Sequence, residues 1–289
     1  LKPQLEVLPN VSIHMQHELT DFTDHGSHVE ATFLTPDGPH KVSGRYLCAA
    51  DGSRSVVRQQ LGIAFDGITY PDRFLLAACD LDFPAIYPDF GPVSYIFDPH
   101  EWVIVLHLPD VTRVVFRIRD DEDELAVQDH AAVRERINRF ISADHGQNYQ
   151  IFRTSIYSVH QRVAETFRQG NVFLLGDSAH INNPMGGMGM NSGIHDAYHL
   201  AAALQTAQQN GDQSALDHYA QQRRQFALDH VQLATDRNYR DMVAGPDSER
   251  QRRNNFLRQV AAHPDQLRAY LINISMLNDR IPLPFPELT

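Results

Sequence analysis

Residues 168–204 read RQGNVFLLGDSAHINNPMGGMGMNSGIHDAYHLAAAL, and the order of residue types predicts a strand, a glycine-rich loop and a helix. Residues 171–175 form a short continuous apolar run of the kind buried in a parallel sheet. The run stops at Gly176-Asp177, and Gly186, Gly187 and Gly189 follow before a helix expected over 192–208. Glycine has no Cβ, so this backbone can lie directly against a flat ligand, while the helix start offers unpaired N–H groups and a positive dipole end. Such a loop suits an electron-rich ring edge or an anion. Asp177, at the carboxyl end of its strand, stands where open α/β sheets bind ligands and can accept hydrogen bonds from the hydroxyls of a sugar or sugar-alcohol chain. Glycines alone would equally fit a flexible connection.

Working outward, a second place of the same kind lies upstream. A strand expected over 41–49 runs into Ala50-Asp51-Gly52-Ser53 and then a helix expected over 55–61. That succession also exposes backbone N–H groups to a polar ligand, although an Asp-Gly turn with a Ser cap would look the same. Before it, period-two alternation over 11–19 and 28–34 predicts a hairpin, with a further turn at Pro36-Asp37-Gly38. From 74 to 118, apolar, β-branched and aromatic runs separated by Pro, Asp and Gly predict an antiparallel sheet. The acidic residues 120–124 suit the start of a helix over 131–141, and 149–159 is extended. Helices expected over 213–230, 250–262 and 264–277 close the chain, with Gly245-Pro246-Asp247 as a loop.

The string 168–204 closely resembles the second FAD signature of the flavoprotein aromatic hydroxylases, the group that includes p-hydroxybenzoate and 3-hydroxyphenylpropionate hydroxylases. RYLCAADGSRSVVRQQLGI, residues 45–63, resembles their Asp-Gly motif, and GITYPDRFL, residues 67–75, resembles their entry into the substrate-domain sheet. The motifs stand in family order. The resemblance implies an α+β or α/β chain: part of a three-layer FAD-binding α/β domain over 1–66 and 160–210, a substrate-binding antiparallel sheet over 67–159, and a helical region over 211–289. It implies that Gly176 and Asp177 meet the FAD ribityl chain. Pro184, Gly186, Gly187, Met188, Gly189, Met190 and Asn191 would lie along the flavin ring and pyrophosphate, and Asp51 and Gly52 would support the cofactor and communicate with NADH or NADPH. The implied reaction is hydroxylation of a small phenolic or other aromatic substrate by O₂ through a flavin hydroperoxide, with no protein nucleophile. A halogenase or prenyl reductase on the same scaffold, and a non-catalytic binding module, are the competing readings.

Two features depart from the family pattern. Asn183-Pro184 stands where a Pro-Pro pair is usual, and no G-x-G-x-x-G follows any strand. With no initiator Met, the expectation is a sequence that begins roughly a hundred residues into its parent, after the βαβ unit for the ADP half of FAD.

Composition narrows the classes. The net charge of −11 opposes wrapping of nucleic-acid phosphates, and no apolar run reaches the ~18 residues of a membrane span. Two cysteines, Cys48 and Cys79, make no disulfide framework, which favours the cytoplasm. A homo-oligomer stays open. His195 and His199, one helical turn apart with His180 in reserve, have zinc-ligand spacing, but Asp196 replaces the Glu of H-E-x-x-H, so no metal is expected. His180 reads better as part of the loop's hydrogen bonding than as a base. His107, His160 and His230 have no partner legible in the sequence. Ser178 and Ser192 lack the G-x-S-x-G of a nucleophile elbow. Tyr95, Phe97, Trp102 and Phe116 suit either core packing or an aromatic pocket. Arg113, Arg117 and Arg119 alternate along one strand and read more simply as a solvated face than as a carboxylate-binding row.

Overall fold

The structure, a computed structural model, describes residues 2–97, 101–141, 149–243 and 247–277. A short helix α1 (Lys2–Glu6) precedes an antiparallel meander of β1 (Glu18–Asp24), β2 (Val29–Thr35) and β3 (Gly38–Gly44). Only Glu18 and Leu19 of the expected first strand fall in β1, which continues to Asp24; residues 11–17 belong to no strand. The expected strand over 41–49 is two strands. After β3 the chain leaves the meander, and β4 (Leu47–Ala49) enters another sheet, with Tyr46 packed edge-on against Phe173 there. Helix α2 (Val56–Gln60) follows, capped by Ser55 Oγ, which accepts the Arg58 N–H.

Next come β5 (Phe65–Cys79), α3 (Phe83–Ile86), β6 (Val93–Phe97), β7 (Trp102–Leu108) and β8 (Val111–Ile118). The acidic run starts a short helix that was not expected, α4 (Glu124–Val127), capped by Asp123, whereas the expected helix, α5 (His130–Asn138), is capped by Asp129, outside the run. Strand β9 (Ile151–Ala164) then returns along β5. With β10 (Arg168–Gln169), β11 (Val172–Leu174) and β12 (His180–Ile181) the sheets are complete. One contains β10, β11 and β4, and in it β11 runs parallel to β4, with Leu174 opposite Ala49. The other is antiparallel, in the order β12-β9-β5-β8-β7-β6.

Period-two alternation gives the six-stranded sheet two different faces. Leu75, Val103, Val114 and Phe116 point to a core closed by Val133 and Ile137 of α5. Phe74, Trp102, Ile104 and Val115 point the other way, toward Met185 of the glycine loop and Tyr239. A third core, around Val172, Phe173 and Leu174, packs under the long helix α6 (Met188–Asn210). After α7 (Ser214–Phe226) the expected helix end does not occur. The chain passes through wider π turns, Ala227–Gln232, straight into α8 (Leu233–Val243). Helices α9 (Asp247–Ala262) and α10 (Pro264–Ile274) follow. Of the Gly245-Pro246-Asp247 loop, Gly245 and Pro246 lie outside the described residues, as does the side chain of Phe97.

Candidate functional site

Because β4 and β11 are parallel neighbours, the loops after them leave the same sheet edge side by side. The first holds Asp51 and Gly52, the second Gly176 and Asp177 in a 3-10 turn, Gly176–Ser178. Backbone and side chain stitch them together: the Leu175 N–H donates to the Ala49 carbonyl at 3.1 Å, and Ser178 Oγ to the same oxygen at 2.7 Å. Arg58 spans both, donating to the carbonyls of Ser53 and Ser178, each at 2.8 Å. Its guanidinium is buried, which lowers its pKa from the ordinary value and makes these carbonyl partners costly to lose. The Asp177 side chain is exposed, and so is that of Asp51, whose Oδ2 accepts the Val57 N–H at 3.2 Å.

Behind the second turn lies a buried charge network. Asp196, fully buried on α6, accepts from the Gly176 N–H (2.9 Å), His180 Nε2 (3.0 Å) and Arg223 Nε (2.8 Å). Burial alone would raise the Asp196 carboxyl; hydrogen bonds and charge from His180 and Arg223 more than reverse this and hold it below the ordinary value. The aspartate beside the two helix histidines is therefore spent on the Gly176 turn. Sequence reading assigned His180 to loop hydrogen bonding, but not its partner Asp196, 16 residues away, nor Arg223, which bonds Asp196 from 27 residues further along.

The loop between β12 and α6 is held from three sides. Asn183, where the family pattern has Pro, donates through Nδ2 to Tyr70 Oη (3.0 Å) and Gln161 Oε1 (3.1 Å) and accepts the Met185 N–H (3.1 Å). Proline could make none of these bonds. Asn238 of α8 donates to the Met185 carbonyl at 3.2 Å, and the Gly186 N–H donates to Tyr95 Oη of β6 at 2.9 Å. Gly186 has φ +105°, and a Cβ there would come within 2.6 Å of Asn238 Nδ2. Burial raises the phenols of Tyr70 and Tyr157 to about 12 and that of Tyr95 above its ordinary value, so all three keep their protons near neutral pH.

The helix begins four residues earlier than expected. Gly187, in the left-handed region, is the N-cap, so residues 188–191 are its first turn rather than loop. Met188 turns inward to pack with Val231 and Met276, leaving it no face toward a ligand. Pro184, Gly186, Gly187, Met190 and Asn191 are exposed and Gly189 is half-buried. No side chain caps this helix, so the first-turn N–H groups stand beside a glycine backbone without side chains of its own. The donor set fits the electron-rich edge of a flavin, and the exposed Asp177 fits a polyhydroxyl chain.

Residues 1–234 match the family model described as FAD binding domain. The chain belongs to the FAD-dependent aromatic-ring hydroxylases. It is 33% identical over 282 residues to para-nitrophenol 4-monooxygenase of Pseudomonas sp. (strain WBC-3), covering 96% of this chain and 68% of that protein. It is 32% identical over 234 residues to a 3-(3-hydroxy-phenyl)propionate/3-hydroxycinnamic acid hydroxylase of Mycolicibacterium gilvum, covering 80% of this chain and 40% of that one. Among solved structures, p-nitrophenol 4-monooxygenase PnpA from Pseudomonas putida DLL-E4 superposes with a TM-score of 0.86 at 30% identity, over 97% of this chain and 71% of that chain. The chain thus spans about two thirds of one kind of relative and two fifths of the other. Among its described residues, no helix is long and apolar enough to cross a membrane.

Proposed function

We propose that this chain carries the flavin-ring and substrate-binding parts of an FAD-dependent monooxygenase that hydroxylates a small phenol, with O₂ and NADH or NADPH as co-substrates. The observation that carries this reading is the side-by-side exit of the two signature loops from the β4–β11 pair, next to a glycine loop seated on an aromatic sheet face. Residues 1–66 and 160–210 would form the flavin side, 67–159 the substrate side and 211–289 the helical remainder. Asp177 and Gly176 would hold the ribityl chain. Pro184, Gly186, Gly187, Gly189, Met190 and Asn191 would border the ring, with Asp51 and Gly52 beside it; Met188 would support them from below. Bound FAD supplies the redox and oxygen-activating chemistry. The protein's own part is to place the phenol against the ring, exclude water and keep the Tyr95-to-Gly186 hydrogen bond that fixes the loop.

The same reading places the enzyme in the cytoplasm. Purified chain supplied with FAD should oxidise NADH or NADPH with matching O₂ uptake, at a rate raised by a phenol. Pyridine nucleotide oxidation that no phenol in a broad panel stimulates would overturn the assignment.

A further inference from the structure

Two backbone irregularities meet beside the glycine loop. In β5 the pairing with β9 shifts between Thr69 and Arg73, which stand opposite His160 and Ser158, so β5 takes four steps where β9 takes two. Such a bulge re-aims a side chain. Here it is that of Tyr70, buried against Tyr239 of α8 with ring centroids 4.3 Å apart. The other irregularity is the run of π turns, Ala227–Gln232, that leads into α8. A π turn takes in an extra residue, and at 3.6 residues per turn each one removed would rotate α8 by about 100°. In the rotation observed, Thr235 reaches Gln161 of β9, Asp236 and Tyr239 reach Tyr70, and Asn238 reaches the Met185 carbonyl.

The protons between these elements can be assigned one by one. Asn183 Oδ1 accepts the Met185 N–H, so the two protons of its Nδ2 go to Tyr70 Oη and Gln161 Oε1. Tyr70 has one proton and two acceptors in reach, Gln161 Oε1 at 3.1 Å and Asp236 Oδ1 at 3.2 Å. The carboxylate is the stronger acceptor, and Gln161 Oε1 already receives Asn183, so the Tyr70 proton goes to Asp236. Tyr70, Gln161 and Asn183 are buried; Asp236 is 22% exposed and its other oxygen meets the exposed Arg240 at 2.6 Å. A single chain of hydrogen bonds thus runs from a surface ion pair on α8 to the backbone of Met185, next to Gly186. Without the carboxylate, the Tyr70 proton turns to Gln161 Oε1 and competes there with Asn183. Proline, the family's usual residue at 183, could take no part in such a chain.

We propose that Asp236 is a positioning residue for the flavin ring, acting through Tyr70 and Asn183 on the glycine loop. This rests on the aromatic hydroxylase reading and adds to it a residue of the C-terminal helices, outside both signature motifs. Asp236 and Tyr70 touch no flavin themselves; they fix the Asn183 amide, which fixes the backbone that borders the ring.

The test is amide hydrogen exchange of the full chain without FAD, read in peptides spanning 182–188, on Tyr70→Phe, Asp236→Ala and the double variant. Each single variant should speed exchange at Met185 by about tenfold, and the double variant should be no faster than Tyr70→Phe alone. Peptides from 130–138, which pack on the opposite face of the sheet, should not change. Flavin-fluorescence titration should then show FAD bound more weakly by both variants, by about fivefold or more. Unchanged exchange at Met185 in either variant, faster exchange spread equally over 130–138, or FAD affinity equal to that of the unaltered chain would overturn the role of Asp236 and leave the hydroxylase reading standing. Failure of the unaltered chain to bind FAD would overturn that reading and the positioning role with it.

Discussion

Asp196 shows how much a single buried carboxylate can organise. It compensates Arg223, 1% exposed, and anchors the Gly176 N–H at the turn that presents Asp177. Removing one partner of a buried ion pair leaves the other charge uncompensated, so Asp196→Asn should cost about 3–5 kcal/mol in urea denaturation. The pH dependence has a defined sign. Because the folded carboxyl sits below its ordinary value, its stabilisation is complete above the unfolded value near pH ~4 and is lost as pH falls through the lower folded value. The variant should therefore lose stability less steeply in acid than the unaltered chain; an identical acid slope in both would rule out this role. None of this was legible in residues 192–199, where Asp196 read as a neighbour of two spaced histidines. Hydrogen bonds to residues far along the chain have no local sequence signature.

At the scale of elements, the strand-turn-helix order of 168–204 was legible, because apolar continuity and glycine placement are local properties. The helix start was not. Gly189 suggested that the loop continued, but Gly187 takes the left-handed cap position and the helix begins directly after it. The approach of α6 to the turn below it is also a tertiary fact: a Cβ on Gly193 would stand 3.1 Å from Gly176 Cα, a backbone atom with little room to give. Gly193→Ala should push helix and turn apart, destabilising the chain by about 1–3 kcal/mol and weakening FAD binding. Thermal unfolding and a flavin-fluorescence titration measure the two effects separately. An alanine variant that matches the unaltered chain in both would mean that this close packing is dispensable.

For the whole molecule, the decisive measurement is whether FAD binds the folded chain. A ligand that binds only the native state at one hundred times its Kd adds about 2.7 kcal/mol of stability. Saturating FAD should raise the thermal midpoint by several degrees; no shift in a folded sample would remove the basis for the proposed reaction. The amino-acid sequence by itself determined the class of chain and its two signature loops, since glycine placement, strand runs and charge balance act locally or in sum. Only the tertiary structure decided that 41–49 divides between two sheets and that Asn183, Tyr95 and Asn238 brace the 183–187 loop. It also decided that Arg113 and Arg153 stand on either side of Ala78. The physical reason is register: which side chains stand side by side depends on how strands far apart in the chain align, and a shift of one residue would turn each of them to the opposite face.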